Sequence, residues 1–120
     1  MRNTGDPEAA RDDEWGEDPS VRVMRRVFAA MEAAQNDLIA TLSIAPLDQR
    51  LRRWRERALA AFEASWAWSA RAGIDLSDSE AGSLYVHCLA KIMSREGVEV
   101  PSEILPQSER IKRIVREVFP

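Results

Sequence analysis

Glu80, Ser83 and His87 are the residues whose types could do chemistry together. On a helix their i, i+3, i+7 spacing puts them on one face, and Ser83 stands four residues before His87. A serine activated by a histidine is the core of acyl-transfer chemistry. That chemistry also needs an oxyanion site and an orienting group held in a pocket, and one helix face supplies neither. The expectation is therefore a solvated polar stripe of Glu80, Ser83, His87, Lys91 and Ser94, with His87 exposed.

His87 is the only histidine and Cys88 the only cysteine. Neighbours on a helix point to different faces, so the two cannot converge on one metal ion. Cys88 falls beside Leu84 and Ile92 and reads as a small buried hydrophobe with a raised pKa. The carboxylates show no Glu-x-x-His pairing, and there is no glycine-rich phosphate loop. No catalytic residue, metal, cofactor or small-molecule substrate is expected.

The densest local signal is Arg50-Leu51-Arg52-Arg53-Trp54-Arg55-Glu56-Arg57. At 100° per residue, Trp54 joins the apolar stripe and points inward. Arg50, Arg53 and Arg57 line one flank, Arg55 the other, and Arg52 the back. A tryptophan that stacks on bases would share the exposed face with its arginines; this one does not. Asp48 stands four residues before Arg52 and Glu56 four after it, spacings that suit ion pairs along a wet face. The row Arg50, Arg53 and Arg57 is a candidate contact for an anion or an acidic partner. The stretch from Asp12 to Asp18, with five acids around Trp15, is a candidate for masking it.

These side chains need helices to place them, and the spacing predicts four. The first runs over about 20–44, opened by Asp18-Pro19-Ser20. Its Val21, Met24, Phe28, Met31, Gln35, Leu38 and Leu42 make a heptad-like seam with one polar member, Gln35, which needs a hydrogen-bond partner if buried. Pro46 forces a turn. The second covers about 47–72 and stops at Gly73, with Leu47, Leu51, Trp54, Ala58, Ala61, Ser65 and Trp68 inward. The third covers about 78–96 behind a capping box, Ser77-Asp78-Ser79-Glu80. The fourth covers about 107–119, with a basic outer face of Arg110, Lys112, Arg113 and Arg116.

In the second helix, Leu59, Phe62 and Trp66 form a further apolar ridge roughly 90° from the stripe. A helix apolar over so much of its circumference is either central in its fold or covered by another chain. Tryptophan-centred ridges make strong interface anchors, so Leu59, Phe62 and Trp66 are the candidate partner interface.

Composition sets the outer bounds. With 120 residues, one 19–120 helical domain is expected behind an acidic, disordered tail at 1–18. That tail holds seven acids and two arginines, a charge of −5, while the rest holds 15 bases and 13 acids, a charge of +2. A global basic footprint for nucleic acid is absent. No run of about 18 apolar residues exists, so no membrane span is expected, and a lone cysteine fits the cytoplasm. The fold expected is all-α, a four-helix bundle or an orthogonal helical array. The function expected is a non-catalytic protein-interaction module, an adaptor, regulator or subunit that self-associates through its first two helices. The alternative is nucleic-acid binding through the basic faces of the second and fourth helices.

Overall fold

A computed structural model describes residues 18–119. It is all-helical: α1 (Pro19–Leu42), α2 (Gln49–Arg71), α3 (Asp78–Arg95), a single 3-10 turn (Ser102–Ile104) and α4 (Glu109–Val118). Among the described residues there is no strand. The expected tail, its acidic stretch and its docking on the arginine row fall outside the described residues except for Asp18.

Local sequence explains the helix ends. The Asp18 carboxylate accepts from the Ser20 N–H at 2.9 Å and opens α1. Asp48 does the same for Arg50 at 2.8 Å, so α2 begins at Gln49 and not at 47. Leu47 consequently lies outside the helix and is 86% exposed instead of heading the inner stripe. The capping box of α3 is complete: Ser77 Oγ accepts from the Glu80 N–H at 3.1 Å, and Glu80 Oε1 from the Ser77 N–H at 2.9 Å. Each such cap is worth about 1 kcal/mol. Gly73 and Gly97 follow α2 and α3 at φ +74° and +90°, a region that favours glycine.

The central element is α3, not α2. It packs against α1, α2 and α4, whereas α1 finds its main support on α3 alone. Ten of the 18 residues of α3 are buried, which is why it reads as core on most of its circumference. The approach to α1 is closest at Gly82, where an added Cβ would stand 2.7 Å from the Ala30 carbonyl oxygen. Arg26 meets Asp78, Ala30 meets Gly82 and Gln35 meets Tyr85, so α1 and α3 run in the same direction. In α2, Arg57 meets Glu96 and Ser65 meets Cys88, so α2 runs against α3.

The buried stripe of α2 departs from expectation in its second half. It comprises Leu51, Trp54, Ala58, Phe62, Ser65 and Ser69. From 51 to 69 this is 18 residues in five steps, 3.6 per step, the period of a straight helix. A 3.5-residue seam drifts by about 20° per heptad, which carried the expected stripe to Ala61 and Trp68. Both are only partly buried. Ser65 and Ser69 are small enough for the α3 interface, and their hydroxyls donate to the Ala61 and Ser65 carbonyls at 2.9 and 3.0 Å.

Candidate functional site: the groove between α1 and α2

Because α1 and α2 both lean on α3, an apolar groove of about 320 Å³ separates them. Phe28 and Met31 of α1 form one wall, Leu59 of α2 the other, and Tyr85 of α3 is part of its lining. Gln35 resolves its burial here: Tyr85 Oη donates to Gln35 Oε1 at 2.6 Å. Burial pushes the Tyr85 phenol up to about 12. Charges of both signs complete the lining, Glu32 and Glu56 with Arg52 and Arg55.

The same seam continues beyond the body of the fold. Since Arg26 pairs with Asp78, the first residue of α3, Pro19–Arg25 extend past the start of α3 by about 10 Å at 1.5 Å per residue. Every residue from Pro19 to Arg26 is exposed. Val21 (46% exposed) and Met24 (37%) thus leave their part of the heptad seam open to solvent, and Phe28 (48%) does so from the wall of the groove. The heptad spacing was visible in the sequence. That only Met31, Gln35 and Leu38 would be buried from it was not, because the spacing does not say where the supporting helix begins.

The sequence-predicted ridge of α2 is split among three environments. Leu59 borders the groove. Phe62 is 2% exposed and belongs to the core, with Tyr85 edge-on at 6.2 Å. Trp66 is partly buried, 5.7 Å from Phe62 between ring centres, and turns to a separate recess beside Ile74 and Leu76. The three do not form one surface.

The arginine row is placed as expected, on the flank of a buried Trp54, but its partners are elsewhere. Arg50 pairs with Asp48 at 3.1 Å and lies over the Trp54 ring at 5.6 Å. Arg57 and Arg53 converge on Glu96 at 2.5 and 3.8 Å. Arg57 above all, and then Arg53, hold the Glu96 carboxyl below its ordinary range. The buried Trp54 N–H meets hydrogen-bond geometry with no partner among the described residues. Glu96, brought in by α3, is the residue that reading one helix at a time missed.

The candidate chemistry of α3 is dispersed. His87 is half-buried rather than exposed, because the 98–106 connection folds over it. Its Nε2 donates to the Pro106 carbonyl at 2.8 Å, so that nitrogen carries the proton and is not available as a base toward Ser83. Burial lowers its pKa, opposed by the Pro106 contact and assisted by Lys112. Cys88 is buried against Ser65 Oγ at 3.8 Å, and burial pushes its thiol up to about 11. Among the described residues no group of histidine, cysteine and carboxylate side chains could hold a metal ion, and no helix is long and apolar enough to cross a membrane. Comparison with known protein families, characterised proteins and solved structures gives no match.

Proposed function

We propose that this chain is a non-catalytic protein-interaction module, a subunit or adaptor, that self-associates through α1 and α2. The observation that carries this reading is the open seam of Val21, Met24 and Phe28, whose first two members overhang α3 and whose third lines the groove bordered by Leu59. Exposed apolar side chains at heptad spacing are the pattern by which two helices pair, and a second copy supplies an identical stripe. Removing these side chains from water is the driving force, at about 25 cal/mol per Å² of apolar area. Met31 and Gln35 continue the seam inward, so the pairing surface is anchored in the core.

Light scattering after size exclusion tests the proposal with two variants. Phe28→Glu places a charge in the seam and shifts the assembly to monomer while the helical content stays unchanged. Trp66→Ala, in a recess away from the groove, leaves the assembly intact. A monomer mass for the unmodified chain, or dissociation by Trp66→Ala and not by Phe28→Glu, would refute pairing through this surface.

A further inference from the structure

A further pocket, open to solvent and of about 270 Å³, lies between α3, α4 and the 98–106 connection. The sequence contains two lysines and one histidine, and all three line it: His87 and Lys91 from α3, Lys112 from α4, with Arg116 one turn beyond Lys112. No carboxylate belongs to its lining. This sets it apart from the basic row of α2, where Asp48 and Glu96 neutralise the arginines. Lys112 is 3.4 Å from Glu109, a carboxylate that is itself 82% exposed and screened by water. Lys91 and Arg116 have no ion-pair partner among the described residues. Like charges one turn apart or facing each other repel, and a bound anion turns that repulsion into attraction.

The remaining walls define the rest of the ligand. Val100, Leu105 and Val115 give the cavity an apolar side. His87, fixed through Nε2 on the Pro106 carbonyl, ties the connection to α3 and forms part of the lining. A volume near the lower end for small-molecule sites suits a compact ligand. We propose that this cavity binds a small amphipathic organic anion, with a phosphate or carboxylate head between Lys91, Lys112 and Arg116 and a ring-sized apolar body on Val100, Leu105 and Val115. The proposal is independent of self-association, since none of these residues belongs to α1 or α2.

His87 is the chain's own reporter, because its ring protons are the only imidazole signals in a proton NMR spectrum. Titration with phenyl phosphate is expected to shift them saturably, and more tightly than inorganic phosphate, which lacks the apolar body. Benzoate tests the carboxylate head in the same way. Lys91→Gln combined with Arg116→Gln is expected to weaken phenyl phosphate by about tenfold or more, the usual scale for losing charge-assisted hydrogen bonds. Both side chains are exposed, so the melting temperature without ligand stays unchanged. The proposal is overturned if the His87 signals do not move, if the shift is linear and the same in the double variant, or if inorganic phosphate binds as tightly. It is also overturned if a short single-stranded oligonucleotide binds more tightly and loses that affinity in the double variant, which would make the cavity a nucleic-acid contact.

Discussion

Replacing Tyr85 by phenylalanine removes one oxygen and tests how the groove is built. That oxygen donates to Gln35 Oε1 at 2.6 Å, and both residues are buried, at 4% and 7% exposure. Phenylalanine keeps the ring against Phe62 but strands a buried amide carbonyl. A stranded buried acceptor costs about 1–3 kcal/mol. Gln35 borders the groove, so water there can relieve part of the loss, and about 1–2 kcal/mol is expected. For a domain of this size, each kcal/mol lowers the melting temperature by about 4–8 °C. Adding Gln35→Met removes the stranded carbonyl as well, and the double variant is expected to recover most of the loss. Calorimetric or circular-dichroism melting of the four proteins of this cycle gives the coupling directly. A neutral Tyr85→Phe, or a double variant as unstable as the two losses added together, would refute the account of Gln35 as a satisfied core polar group. Tyr85 is also the only tyrosine, so phenolate absorbance reads it alone. Its folded pKa, about 12, stands above the unfolded value of 10.0. The stabilisation from the neutral phenol is complete below the unfolded value and is lost as pH rises through the folded one. The titration midpoint is expected near the raised value in the folded protein and near the ordinary value in denaturant.

Gly82→Ala is expected to lower stability by about 1–3 kcal/mol in denaturant titration, because its Cβ meets backbone, the Ala30 carbonyl, and α1 must move off α3. An unchanged midpoint would mean that the two helices do not approach so closely. The Cys88 thiol is expected to resist a disulfide reagent until the domain opens, since it is buried and its pKa is pushed up to about 11; rapid labelling under native conditions would contradict its placement. Glu96→Gln is expected to free Arg53 and Arg57 and to raise retention on heparin in a salt-sensitive way. Acid should have the same effect on the unmodified protein. The carboxyl pKa of Glu96 is lowered, so the pairing persists above the ordinary carboxylate value and is lost as pH falls through the folded one.

The helices were legible because their signals are local. Asp18-Pro19-Ser20, the Ser77/Glu80 box, Gly73 and Gly97 each act within a few residues, and each marks a helix end. Burial was legible where a stripe follows the straight-helix period, as from Leu51 to Ala58, and failed further along where seven-residue counting had drifted. Gln35 declared that it needed a partner, but nothing local named Tyr85, fifty residues away. Glu96 escaped for the same reason: it reaches Arg53 and Arg57 across a tertiary interface. Phe62 read as a surface ridge because its cover comes from α3, and His87 read as exposed because its cover comes from the 98–106 connection. The open half of the α1 seam depends on where α3 starts relative to Arg26, a tertiary offset that no periodicity contains.

Sedimentation equilibrium of the unmodified chain over a wide concentration range bears most directly on the proposed self-association. The account predicts a mass that rises with concentration from the 13.6 kDa of one chain toward twice that value. A mass that stays at one chain throughout the range would contradict it.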